Sequence, residues 1–154
     1  MTSQASGQTA REIEITFPSH PEQVRRALQK VLASPLLTNP NQTAQEDDLR
    51  GTAEIVLAEV LNNIVEHAYA DQAGNITLRL VRHDGGLHCT VSDTGAPMPG
   101  LCLPEGRFQP LDDLADLPEG GFGWFLIRSL VTELTYQRID GENRLSFILP
   151  DEQS

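Results

Sequence analysis

Residues 58–69 read AEVLNNIVEHAY and form the C-terminal half of the longest helical pattern in the chain. Leu49, Ala53, Val56, Leu57, Val60, Leu61, Ile64, Val65 and Ala68 recur close to every 3.6 residues, and the spacing predicts an amphipathic helix over Asp47–Ala70. Glu59 and Asn63 stand four residues apart, and Asn62, Glu66 and His67 fall on nearly the same face, a polar stripe opposite the apolar one. A solvated helix face is the simplest explanation. However, such faces favour Lys, Arg and Glu, whereas adjacent Asn residues are poor helix formers. An amide oxygen is a hard ligand that suits Mg2+ where phosphates supply further oxygens. A carboxylate one turn earlier can orient or deprotonate a nucleophile.

Upstream, Arg11 to Phe17 alternates polar residues with Ile13, Ile15 and Phe17, the pattern of a half-buried strand ended by Pro18. A helix capped by Ser19, with Pro21 in its first turn, follows and stops at Pro35. Leu36 to Gln45 reads as a loop. Downstream, Ile76–Arg82 and Leu87–Ser92 form a hairpin around Asp84-Gly85-Gly86, and Glu133–Ile139 and Arg144–Leu149 form a second around Asp140-Gly141-Glu142-Asn143. Phe122–Leu130 reads as a helix. Hairpins make neighbouring strands antiparallel, so the pattern predicts an α+β fold: two layers, with a mixed or antiparallel sheet covered on one face by helices. It excludes a doubly wound parallel sheet.

Two further segments carry chemistry. At the end of a strand, Val91-Ser92-Asp93-Thr94-Gly95-Ala96-Pro97 offers a carboxylate that can accept from an exocyclic amine, and a glycine that lets backbone approach a flat ring. A plain turn uses the same residues. Glu119-Gly120-Gly121-Phe122-Gly123-Trp124 opens a helix with glycines whose N–H groups can meet phosphate at the positive helix end, although a hinge would look similar. It is no Walker A motif, because no Lys-Ser/Thr follows. Trp124, Phe125 and Ile127 read as core. Between these segments, residues 93–120 hold five of the ten prolines, and a loop this long suits a lid.

The 154 residues suit one domain, and with 39% hydrophobic residues a buried core is expected. We expect a flexible N-terminal tail over residues 1–10 and a single domain over residues 11–150. The formal charge of −11 argues against nucleic acid or an anionic membrane as the main partner. Cys89 and Cys102 form no CxxC pair, so a zinc site or a disulfide scaffold is not expected. No apolar run reaches the roughly 18–20 residues of a membrane span, and the first ten residues lack a signal peptide's apolar stretch. A cytoplasmic protein is the expectation.

In their order and context, AEVLNNIVEHAY, VSDTGAPMP and GGFGWFLIRSLV resemble the N box and the two glycine boxes of the histidine-kinase-like ATPase superfamily (the Bergerat or GHKL fold). The short length, the HAY ending and the Asp-x-Gly-x-Pro form are most similar to the anti-sigma factor serine kinases of bacterial partner-switching systems. The resemblance covers about Glu12 to Pro150. It implies a Bergerat-type sandwich with a mobile ATP lid over about residues 96–120. It implies ATP and Mg2+ as cofactors, Asn63 as the Mg2+ ligand and Glu59 as the general base toward a substrate serine. It implies Asp93 and Gly95 at the adenine, Gly121 and Gly123 at the phosphates, and His67 within the N box beside the nucleotide. Arg107 in the lid is a candidate cation for the γ-phosphate, although an ordinary surface Arg reads the same. The implied function is a protein serine kinase and anti-sigma factor of stress-response transcription regulation. It would phosphorylate a STAS-domain antagonist, bind a sigma factor, and be able to homodimerise. Two features depart from the pattern: Pro97 replaces a glycine of the first glycine box, and the lid is acidic (Asp112, Asp113, Asp116, Glu119). The acidic lid motivates an alternative, a nucleotide-binding module that regulates by stoichiometric binding without turnover. Loss of nucleotide binding altogether would leave an interaction domain.

Overall fold

The computed structural model of the chain describes residues 11–38, 41–69, 73–83, 85–103 and 121–151. The expected tail over residues 1–10, the expected lid from residue 104 to 120 and Arg107 lie outside them.

Strand β1 (Glu12–Pro18) leads into helix α1 (Pro21–Leu32) and the long helix α2 (Ala44–Asn63). A π-helical turn over Ile64–Ala68 ends that helix, and the hairpin β2 (Asn75–His83) and β3 (Gly86–Asp93) follows. After a 3-10 turn at Pro99–Leu101 come α3 (Gly121–Leu130), β4 (Thr132–Ile139) and β5 (Glu142–Pro150). The five strands form one sheet in the order β1-β2-β3-β5-β4, and every pairing is antiparallel. The α+β expectation holds, and the sheet proves wholly antiparallel rather than mixed.

Alternation along the strands sets the layers. Ile13, Ile15, Phe17, Ile76, Leu78, Leu80, Leu87, Cys89, Val91, Leu145, Phe147 and Leu149 are all buried in one core with Val24 and Val31 of α1, Val56, Leu57 and Leu61 of α2, and Trp124 and Ile127 of α3. The residues between them on the strands are more exposed and mostly polar, such as Thr16, Thr77, Arg79, Thr90 and Ser146. Phe125, expected in the core, is only half-buried.

Helix α2 starts three residues earlier than its apolar spacing predicts. Thr43 Oγ1 accepts from Glu46 N at 3.1 Å, and Thr43 N donates to Glu46 Oε1 at 3.0 Å. This reciprocal cap satisfies two otherwise free backbone donors and is worth about 1 kcal/mol. Helix α1 is capped by His20, whose Nδ1 accepts from Glu22 N, rather than by Ser19.

The second hairpin turns in two residues, not four. Asp140 (φ 53°) and Gly141 (φ 80°) both occupy the left-handed region, and β5 resumes at Glu142. Asn143, expected in the turn, is therefore a strand residue, paired across the ladder with Asp93.

Candidate functional site

Two clusters flank the end of α2. The first joins α2 to the start of α3. A Cβ built on Gly123 would collide with Glu59 Oε2 and would lie 3.8 Å from Asn63 Nδ2. The absent side chain is what lets the Glu59 carboxylate lie against the α3 backbone. Thus Glu59, Asn63 and Gly123, three of the expected site residues, converge, and Gly121 opens the same helix.

The expected polar stripe divides. Asn63 is only 7% exposed, among the core residues, whereas Asn62, Glu66 and His67 face solvent. The π turn, which begins just after Asn63, adds a residue to the helical register and breaks the uniform 3.6-residue count on which the stripe rested. His67 Nε2 lies 3.9 Å from Glu66 Oε2, and no hydrogen bond among the described residues joins it to Asn63 or Asp93. Asn63 Nδ2 is buried without any hydrogen-bond partner among the described residues. An orphaned buried donor costs about 1–3 kcal/mol, and only an acceptor oxygen, not a cation, would satisfy this N–H group.

The second cluster surrounds Asp93, at the end of β3 and 6% exposed. Its Oδ1 accepts from Gly95 N at 2.9 Å and from Asn143 Nδ2 at 2.8 Å. No hydrogen bond among the described residues uses Oδ2. Burial pushes the Asp93 carboxyl above its ordinary range; the Asn143 and Gly95 hydrogen bonds and the Arg138 guanidinium oppose the shift, and Glu142 adds to it. Gly95 is required by close approach, since a Cβ there would strike the carbonyl oxygen of Ala68. That same carbonyl accepts from Ala96 N at 2.8 Å. The π turn, closed by Tyr69 N donating to Ile64 O at 3.2 Å, leaves it free to do so. Tyr69 OH donates to Asn75 O at 2.8 Å and accepts from Thr94 N at 2.7 Å, tying the end of α2 to both strands of the first hairpin.

The far side of this cluster comes from the second hairpin. Asn143, 5% exposed, donates to Asp93 Oδ1 and to Ala96 O (2.9 Å). Its Oδ1 accepts from Tyr136 OH at 2.6 Å and Arg138 Nη1 at 2.9 Å. Arg138 Nη1 also donates to Gly95 O at 2.8 Å, and Tyr136 OH accepts from Met98 N at 3.1 Å. Sequence reasoning missed Asn143, Tyr136, Arg138 and Tyr69. A signal for three of them existed: Asn143 extends the inward alternation of Leu145, Phe147 and Leu149, and Tyr136 and Arg138 extend that of Leu134.

A histidine kinase-like ATPase domain matches residues 17–149. The chain belongs to this family. Among curated relatives of this histidine kinase-like ATPase, the serine/threonine-protein kinase BtrW of Bordetella bronchiseptica is 38% identical over 104 residues, 64% of this chain and 68% of that protein. The serine-protein kinase RsbW of Bacillus mycoides is 30% identical over 91 residues, 57% of this chain and 56% of that protein. RsbW of Bacillus cereus strain AH187 is 25% identical over 132 residues, 84% and 79% of the two chains. The chain spans little more than half the length of the Bacillus mycoides relative that it matches.

The rest of this histidine kinase-like ATPase offers less chemistry. Among the described residues no helix is long and apolar enough to cross a membrane, and no three His, Cys, Asp or Glu side chains group to hold a metal. Cys89 is buried, with its thiol pushed up by burial, and Cys102 is exposed; both are free.

Proposed function

We propose that the chain is an ATP- and Mg2+-dependent protein serine kinase, with a STAS-domain antagonist as its phosphoacceptor and a sigma factor as its second, inhibited partner, acting in the cytoplasm. The observation that carries this reading is the convergence of Glu59, the orphaned Asn63 amide and Gly123 where α2 meets α3. Support also comes from the kinases named among the relatives.

In this reading Asp93 Oδ2 accepts from the adenine amino group, and Gly95 leaves room beside the ring. The first N–H groups of α3, from Gly121 onward, have no partner within the helix and carry the positive end of its dipole, so they receive phosphate oxygens. Asn63 would hold Mg2+ through its amide oxygen, and the ion, when bound, neutralises charge on the phosphates. Glu59 takes the proton from the substrate serine as the serine oxygen bonds to the γ-phosphorus and the bond to ADP breaks. Phosphoryl transfer depends chiefly on positioning and charge, which suits a site with one carboxylate and many backbone donors.

The test uses labelled ATP, the cognate antagonist, and Glu59→Gln. The expected result is a fall in phosphoserine formation of roughly 100-fold or more, with ATP affinity retained. Intact phosphorylation in Glu59→Gln would remove Glu59 as the base. The acidic lid sequence favours one rival, a nucleotide-bound regulator without turnover. ATP binding by the unmutated chain with no phosphoserine would establish that rival instead.

A further inference from the structure

Asn143 spends its whole hydrogen-bonding capacity on one task. Its Nδ2 donates to Asp93 Oδ1 and Ala96 O, and its Oδ1 accepts from Tyr136 OH and Arg138 Nη1. Two donors and two acceptor sites are thus matched. The orientation of the amide is not interchangeable: Arg138 can only donate, so the oxygen must face it, and the nitrogen must then face Asp93 and Ala96. With Gly95 N also on Oδ1, that oxygen of Asp93 is occupied twice. Oδ2 remains the only carboxylate oxygen without a described donor. An ionised carboxylate oxygen accepts and cannot donate, so it favours a base that presents an amino group there over one that presents a carbonyl.

We propose that Asn143 is a positioning residue of the base subsite: anchored by Tyr136 and Arg138 of β4, it fixes which oxygen of Asp93 meets the base and clamps the 95–98 backbone beside it. The proposal rests on the reading of this cluster as the adenine subsite and adds the strand that sets its selectivity. Through Tyr136 OH, which also holds Met98 N, the edge strand β4 reaches the chain leaving the subsite. Base recognition is therefore built from both hairpins, and half of it lies in residues remote in sequence from the glycine boxes.

The experiment measures binding of ADP and GDP with Mg2+ to the full chain by calorimetry across pH, for the unmutated protein, Asn143→Ala and Tyr136→Phe. In Asn143→Ala, ADP affinity is expected to fall about tenfold or more, since a hydrogen bond to a charged group is lost. The preference for ADP over GDP should narrow. The acid limb of ADP binding should move to higher pH, because one hydrogen bond that opposes the upward shift of Asp93 is removed while Arg138 and Glu142 still face it. Tyr136→Phe keeps the ring and should move all three in the same direction, by about threefold in affinity. If Asn143→Ala fails to fold, Tyr136→Phe decides the matter alone. Unmutated affinity, preference and acid limb in a folded variant would overturn the proposal. So would a variant that melts earlier yet keeps its preference and acid limb, since that is a structural role only. Absence of ADP binding in the unmutated protein would instead overturn the adenine reading, a failure visible without any variant.

Discussion

The two ends of the proposed site are built by opposite means. Around Asp93, Gly95, Asn143, Tyr136 and Arg138 bond one another, and one Asp93 oxygen has no donor among the described residues. Around Asn63, the amide nitrogen is buried with no partner among the described residues, and Glu59 rests against a glycine. The first end is finished before any ligand arrives. The second stays incomplete, which costs stability and leaves groups available where charge must be handled. Recognition of a flat base rewards preorganisation, whereas a phosphate and its cation supply bonds of their own.

The largest expected contrast separates the two glycines. Gly95→Ala drives a methyl group into the Ala68 backbone carbonyl, which cannot yield without moving the end of α2. Overpacking of that kind costs about 1–3 kcal/mol, and thermal melting should drop along with nucleotide affinity. Gly123→Ala meets only the far end of the Glu59 side chain, and alanine is the better helix former by about 1 kcal/mol. Its melting temperature should hold or rise while phosphoserine formation falls about tenfold or more from the displaced carboxylate. If both variants melt alike, the two glycines do not serve different ends.

A smaller effect probes the incomplete end. Asn63→Leu keeps roughly the volume and removes the orphaned donor, so the ligand-free protein should melt no earlier than the unmutated one, while the Mg2+-dependent part of ATP affinity disappears. A clear loss of ligand-free stability would show that the amide is bonded after all. The gentlest probe is pH. Asp93 has its folded pKa raised, so the fold favours its neutral form; that stability contribution is full at low pH and is lost as pH rises through the raised value. In the proposed reading, base binding needs the ionised form and runs the other way. ADP affinity should therefore weaken on acidification at a higher pH than an ordinary aspartate would give, and a titration following only the usual aspartate range would remove this distinction.

The fold was largely legible. Alternation in β1, β2, β3 and β5 and the Asp-Gly signals gave the strands and hairpins, and the 3.6-residue spacing gave α2. Asn63 stood out because adjacent Asn residues are poor helix formers, and Glu59 and Gly123 because their segments resemble the N box and the second glycine box. What escaped was set by local chemistry that periodicity does not carry. The capping box moved the start of α2 to Ala44, the π turn separated Asn63 from His67, and a two-residue turn at Asp140-Gly141 carried Asn143 into the sheet. The clamp on Asp93 is a tertiary pairing, since Asn143 lies fifty residues away in sequence. Only the continued inward alternation of β5 hinted at it.

The π turn at Ile64–Ala68 also acts as a spacer that gears one end of the site to the other. Asn63 sits just before it, and the Ala68 carbonyl that holds Ala96 sits at its close. Its loop closes over five residues where an ordinary α-turn closes over four. Excising one residue there would let the helix run on in regular register and would rotate everything beyond it by about 100°. Glu59 and Asn63 would keep their places on α2, and Asp93 its place on β3, yet the carbonyl that joins them would point elsewhere. The alignment of two otherwise intact halves thus hangs on the count of a single residue.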